Sequence, residues 1–185
     1  HSSTDFLLLQ WLVSGLLLTL RERGCTSCMA MVEEDQQAHY EGLGFQADGI
    51  HITYAGGKCE APTLDEVELF EPHHSMGVLH LDKLAYGEDR RELISEHFYA
   101  SRIFMHKGRV LGTYMPLLMD ELIVAENSYA GCELLRWHLM HNAQVNLPEG
   151  NAAALEFLQQ RKYTEQGRLL RMVHGPHVPW RPEMV

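Results

Sequence analysis

Residues 10–57 read QWLVSGLLLTLRERGCTSCMAMVEEDQQAHYEGLGFQADGIHITYAGG, and residues 128–175 read SYAGCELLRWHLMHNAQVNLPEGNAAALEFLQQRKYTEQGRLLRMVHG. The two stretches align without a gap at a constant offset of 118 residues, which pairs Leu16-Leu17 with Leu134-Leu135, Phe45 with Tyr163, Gly49 with Gly167 and Gly57 with Gly175. Repetition at a fixed spacing decides the architecture before any single element is assigned. In the first copy Gln10–Arg23 is a nearly all-round apolar helix, Cys25–Val32 a short apolar strand, Asp35–Leu43 a helix and Ile50–Tyr54 a strand. In the second, a helix runs from about Ser128 to His141, a strand over Ala143–Leu147, a helix over Asn151–Arg161 and a last strand over Gly167–Val173. Each copy therefore predicts αβαβ, with its two strands adjacent in one sheet. Gly49 and Gly167 fall where a turn before the last strand is expected, a place that often needs positive φ.

Working outward, Ala55–Thr63 (AGGKCEAPT) has the composition of a linker. The expected division is residues 1–57 as the back half of a first domain, 58–63 as linker and 64–185 as a nearly complete second domain. Within the latter, Asp82–Ser95 reads as helical around Gly87, Ser101–Met105 and Val110–Met115 as a hairpin around HKGR at 106–109, and Glu121–Ala125 as a strand. A half-domain leaves a sheet edge and an apolar helix face without partners. A preceding segment, packing against the second domain, or strand exchange in a homodimer would cover them, and the first and third are favoured. The second copy also breaks off at Trp180–Val185, where a further short strand is expected.

Composition narrows the function. The chain has 185 residues and 45% hydrophobic content, enough for one good-sized core or two small ones. Fifteen Lys and Arg against 25 Asp and Glu leave a net charge of −10, which argues against nucleic acid or an anionic membrane as the main partner. Phe6–Leu20 is interrupted by Gln10, Ser14, Gly15 and Thr19 and falls short of the ~20 residues a membrane span requires, so it reads as a buried helix. No basic segment precedes it as a signal peptide would need. Cys25, Cys28, Cys59 and Cys132 lack a second metal-spaced pair and read as free thiols in a reducing cytoplasm, the C-x-x-C at 25–28 as core. His73-His74 with His80 has no carboxylate or thiol at ligand spacing, and no metal is expected.

Arg21-Glu22-Arg23-Gly24-Cys25 followed by Ala38-His39-Tyr40-Glu41-Gly42-Leu43-Gly44-Phe45 resembles the end of a GNAT acyltransferase domain, where a helix closing in R-x-R-G precedes a strand and a helix closing in Y-x-x-L-G-F. Asn151-Ala152-Ala153-Ala154 is similar to the N-x-x-A start of that helix. Leu81-Asp82 through Gly87-Glu88-Asp89-Arg90, with Arg171-Met172-Val173-His174-Gly175, resembles the second half of the double-GNAT acetyltransferases. The resemblance covers roughly residues 10–57 and 78–175. It implies an α/β (α+β) fold with a mixed central sheet flanked by helices, one copy partial and one nearly complete. It also implies transfer of an acetyl group from acetyl-CoA to a small-molecule or peptide amine; the alternative is a non-catalytic GNAT-like ligand-binding or dimerisation module.

Acetyl transfer needs a pyrophosphate cradle, an oxyanion donor, a route for the amine's proton and an acid for the leaving thiolate. The cradle is normally a run of backbone N–H groups at a helix N-terminus, supplied in the family by Q/R-x-x-G-x-G/A. Neither copy has that motif: the first has Thr4–Gln10 without a glycine, the second Ala125–Gly131, where Asn127, Ser128 and Tyr129 are the cofactor-binding candidates and Glu126 is a repulsive neighbour. Asn151 is either a further cofactor ligand or a helix cap. Tyr40 stands where the family's tyrosine lies beside the CoA sulfur and is the candidate acid, whereas the matching position in the second copy is Leu158. Asp82, Asp89 and Arg90 either line the acceptor pocket or form ion pairs along a solvated helix.

Overall fold

A computed structural model describes residues 3–63, 65–119 and 121–185, with side chains from Leu7 onward. Leu64, the expected first residue of the second copy, lies outside the described residues. In chain order the elements are α1 (Ser3–Glu22), β1 (Cys28–Glu33), α2 (Gln37–Gly42, entered through a 3₁₀ turn), β2 (Phe45–Ala55), β3 (Val67–Leu69), α3 (Ser75–Tyr86), α4 (Arg91–Ser95), β4 (Arg102–His106), β5 (Arg109–Met115), β6 (Leu122–Ala125), α5 (Ser128–Leu139), β7 (Gln144–Pro148), α6 (Ala152–Gln160) and β8 (Thr164–His174). The fold is mixed α/β with antiparallel sheets. Residues 1–51 with 168–177 gather into one compact unit and residues 52–167 with 178–185 into another. No helix among the described residues is long and apolar enough to cross a membrane.

The αβαβ order appears twice, and the two copies share a turn. Leu43 and Gly44 donate backbone N–H bonds to Tyr40 and Glu41 at 3.0 and 2.9 Å, and Arg161 and Lys162 donate to Leu158 and Gln159 at 3.0 and 3.0 Å, the same positions at the offset of 118. Both turns are left-handed, with φ of +88° at Gly44 and +61° at Lys162. This is where the chain reverses from helix to strand. Gly49 and Gly167, expected in that turn, instead lie inside β2 and β8 and have no positive φ. The left-handed residue one step before Phe45 or Tyr163 already makes the turn, so both strands begin earlier than the apolar pattern indicated.

The central sheet is also not one sheet. One four-stranded sheet has the order β1-β8-β2-β7, the other β3-β4-β5-β6. The two strands of each copy are therefore not adjacent: β8 separates β1 from β2, and β2 separates β7 from β8. Exchanging β1 with β7 and β2 with β8 maps the order onto itself, with the strands of the two stretches interleaved. In the first unit β1 runs antiparallel to β8, Cys28 opposite His174 through Glu33 opposite Leu169. Val32, Phe45, Leu170 and Met172 form its core, with Val13 and Leu17 of α1 packed against them. Spacing of four residues puts those two on one face of α1. In the second unit β4 and β5 form the expected hairpin, with His106 opposite Arg109 and φ of +50° and +75° at Lys107 and Gly108, the conformation that matches strand twist in a two-residue turn.

Helix α3 ends at Gly87, whose N–H bonds Lys83 O at 2.9 Å with φ of +74°. A Cβ there would lie 2.1 Å from the carbonyl oxygen of Pro179, so both conformation and space call for glycine. Gly87→Ala is expected to lower unfolding free energy by ~1–3 kcal/mol, and an unchanged urea midpoint would contradict this account of the cap.

Candidate functional site

Strands β6 and β7 are the edges of separate sheets, and the space where they part holds the candidate site, entirely within the second unit. Ile123 and Ala125 of β6, Leu147 of β7 and the first turns of α5 and α6 line a narrow cleft. The sequence starts both helices the same way. Asn127 is extended, and its Oδ1 accepts the Ala130 N–H at 3.1 Å; Asn151 Oδ1 accepts the Ala154 N–H at 3.0 Å. Each cap satisfies one of the N–H groups that a helix start leaves without an intrahelical partner, and the others keep the positive end of the dipole toward the cleft. Glu126 does not oppose an anion as a free charge. Arg109 Nη2 lies 3.2 and 3.0 Å from its two carboxylate oxygens.

Three of the four expected cofactor ligands, Asn127, Ser128 and Asn151, thus line one cleft. Tyr129 does not line it: its hydroxyl donates to Glu66 Oε1 at 3.1 Å and its ring sits edge-on to Phe104 at 5.2 Å. The cleft also contains part of its own chain. Glu183, Met184 and Val185 line it, Met184 is buried, and Asn151 Nδ2 donates to Val185 O at 2.7 Å. Asn151 therefore serves as helix cap and as anchor of this segment. Burial pushes the Cys132 thiol in the same lining up, which keeps it protonated at neutral pH.

Tyr40 belongs to the first unit. It is half-buried on α2, its ring edge-on to Phe45 at 5.3 Å and packed on the cluster that includes Val32 of β1. Leu158, its counterpart at the offset of 118, is fully buried in the second unit. The stretch Thr4–Gln10, which stands where the family's phosphate loop would fall but lacks its glycine, is helical, since α1 already runs from Ser3.

The acceptor candidates are engaged with their own neighbours. Asp82 is buried and paired through both oxygens with Arg90, whose Nε is 3.1 Å from Oδ2 and whose guanidinium lies 3.5 Å above the Tyr86 ring. Burial pushes the Tyr86 phenol up to about 12. Asp89 pairs with Arg91 on the surface, and that guanidinium holds its carboxyl below the usual range. None of the three lines the β6–β7 cleft.

Two further clusters assemble in the fold; the sequence pointed to none of the first and, in the second, to His73-His74 but not to the carboxylate, Glu68, that joins them in place of His80. Glu121 Oε2 accepts from the Tyr114 hydroxyl and from Asn142 Nδ2 at 2.7 Å, and lies 2.9 Å from Nδ1 of buried His138. His138 Nε2 is 2.9 Å from the Gln144 carbonyl, which can only accept, so that nitrogen carries a proton. Burial, and then the Glu121 bond, push the Tyr114 phenol well above its usual range. The network ties the start of β6 to the end of α5 and the start of β7, beside an open cavity of about 680 Å³. No spacing signals it, since its members come from separate elements. The second cluster is Glu68, His73 and His74, whose ligand atoms lie within 4.8 Å of one another. Buried His74 accepts the Glu71 N–H on Nδ1 at 2.9 Å, which puts its proton on Nε2, 2.8 Å from Glu68 Oε1. A metal at Nε2 would have to displace that proton, and Glu71 with His74 forms the capping box of the turn before α3. All four cysteines are free.

No family profile and no curated protein matches the chain. Solved structures do. A candidate acetyltransferase from Pyrococcus horikoshii superposes with a TM-score of 0.71 at 17% identity over 93% of this chain and 61% of its own. An acetyltransferase from the GNAT family of Colwellia psychrerythraea gives 0.53 at 12% identity, covering 89% of this chain and 73% of that one. A candidate GNAT-family acetyltransferase from Novosphingobium aromaticivorans gives 0.54 at 8%, covering 72% and 69%. At these identities the likeness is one of fold: the chain has a GNAT-like fold. It spans less than two thirds of the Pyrococcus protein's length.

Proposed function

We propose that this chain is a tandem GNAT-type N-acetyltransferase of the cytoplasm, using acetyl-CoA to acetylate a small-molecule or peptide amine. Residues 1–57 form part of its first copy and 64–185 its second. The observation that carries the reading is the β6–β7 cleft: two sheet edges part beneath the N-termini of α5 and α6, each opened by an asparagine cap. Such helix starts attract phosphate. In this reading Asn127 and Ser128 meet the pyrophosphate and Asn151 the pantetheine arm. Acetyl-CoA supplies an activated thioester. The chain's own part is to orient it, exclude water and deliver the proton that the leaving sulfur needs, a role assigned within the first copy to Tyr40. Asp82, Asp89 and Arg90 shape the acceptor side through their ion pairs.

A specific observation favours the second reading, a non-catalytic ligand-binding or dimerisation module. Met184 and Val185 line the cleft, and Leu158 replaces the tyrosine in the second copy. Under that reading the chain binds its ligand without transferring an acetyl group. Incubating the protein with acetyl-CoA and a panel of small-molecule and peptide amines, and following thiol release with mass detection of acetylated product, separates the two. Turnover of any amine supports the enzyme; binding of acetyl-CoA without product supports the module.

A further inference from the structure

We infer that the cavity beside Glu121 is a binding site for a short primary alkylammonium ion, outside the β6–β7 cleft and apart from Asp82, Asp89 and Arg90. All of its lining belongs to the second unit. At its centre is a carboxylate with one oxygen fully engaged. Glu121 Oε2 takes the Tyr114 hydroxyl, Asn142 Nδ2 at 2.7 Å and His138 Nδ1 at 2.9 Å. His138 already donates from Nε2 to the Gln144 carbonyl, so a neutral ring would set its Nδ1 lone pair against the carboxylate. A proton must lie between them. With two other donors on Oε2 favouring the ionised carboxylate, that proton sits on the ring, and His138, 4% exposed, is a buried imidazolium. The arrangement fixes Glu121 in place and leaves Oε1 to the cavity.

The lining identifies the ligand class. Three acceptors without a partner among the described residues belong to it: Glu121 Oε1, Asn142 Oδ1 and the side-chain carbonyl of Gln144. Asn142 cannot turn round to offer donors instead, since its Nδ2 bridges Glu121 and the His138 carbonyl at 2.7 and 3.1 Å. Among the described residues no lysine or arginine lines the cavity, and both nitrogens of His138 are engaged, so nothing there invites an anion. One carboxylate oxygen and two amide carbonyls match the three N–H donors of a primary ammonium. Pro116 and Met119 supply wall for a short carbon chain. Glu121 itself is held at φ of +66°, a left-handed conformation that a non-glycine residue keeps only where its surroundings fix it. Because the imidazolium offsets part of the carboxylate's attraction, hydrogen bonds set the affinity, in the millimolar range. An ion so held stays protonated and has no lone pair to attack a thioester, so this is a holding site and not the place of acetyl transfer.

NMR titration of the 185-residue protein with propylammonium chloride tests it. The titration contains no acetyl-CoA, so its result is separate from that of the acetylation assay. Saturable shifts of the Asn142 and Gln144 side-chain amides are expected at millimolar concentration. Neither 1-propanol, which lacks the charge, nor tetramethylammonium, which lacks the N–H groups, is expected to move them. Glu121→Gln is expected to weaken binding ~10-fold or more, the share of a hydrogen bond to a charged group. Gln144→Glu, at an exposed side chain, adds a second carboxylate to the lining and is expected to tighten binding several-fold, a gain that a misfolded protein cannot show. No saturable shift by ~100 mM propylammonium overturns the proposal. So does an equal response to 1-propanol or tetramethylammonium, unchanged affinity in Glu121→Gln, or a folded Gln144→Glu protein that binds no more tightly.

Discussion

Tyr40→Phe is expected to lower kcat by ~10²–10⁴-fold, the usual value of general acid help. A thiolate leaving a tetrahedral intermediate has a pKa near ~8.5, and a positioned phenol at ~10 can share a proton with it as the C–S bond breaks. The change removes only a hydroxyl. The ring keeps its edge-on contact with Phe45 and its place on the Val32 cluster, so stability and acetyl-CoA affinity are expected to be nearly unchanged. Steady-state kinetics of the variant decide the matter: an unchanged kcat would make Tyr40 an ordinary packing residue of α2.

Asp82→Ala is expected to have the largest effect on stability. The Asp82 and Arg90 side chains are only 2% and 11% exposed, so removing the carboxylate strands a guanidinium inside the protein. Breaking one side of a buried pair in this way costs ~3–5 kcal/mol. Replacing both partners with apolar residues is expected to recover much of the loss, because no buried charge then remains. Urea unfolding of the single and double variants measures both values. A single variant as stable as the parent would show that Arg90 finds another partner and that the pair is not what holds α3 to the segment after Gly87.

What the sequence made legible was local. The hairpin at 106–109 follows from a two-residue turn and the starts of α5 and α6 from Asn127 and Asn151, each a conformation set within a few residues. The segment 82–95, read as helical around Gly87, instead breaks at that left-handed residue, and α4 starts only at Arg91. The offset of 118 is matched locally by the same turn before Phe45 and Tyr163. What was not legible depends on pairing across the chain. The interleaved order β1-β8-β2-β7 brings together strands far apart in the chain, such as Thr53 of β2 and Asn146 of β7, 93 residues apart, and no periodicity encodes which neighbour a strand takes. Polar Asp48 sits inside β2 beside the Arg171 side chain and His177 Nε2, the latter at 2.7 Å, partners that lie far along the sequence. The same holds for the site. Asn127, Ser128 and Asn151 could be picked out as candidates at helix starts, while the place of Met184 in the lining of their cleft and the assembly of Glu121, His138 and Tyr114 required the fold.

The central claim, that this GNAT-like fold serves acetyl-CoA, is met most directly by isothermal titration of the protein with acetyl-CoA, with a thermal melt alongside. Binding in the micromolar range, about −8 kcal/mol, with a rise in melting temperature is the expected result. No heat and no thermal shift at millimolar acetyl-CoA would contradict it.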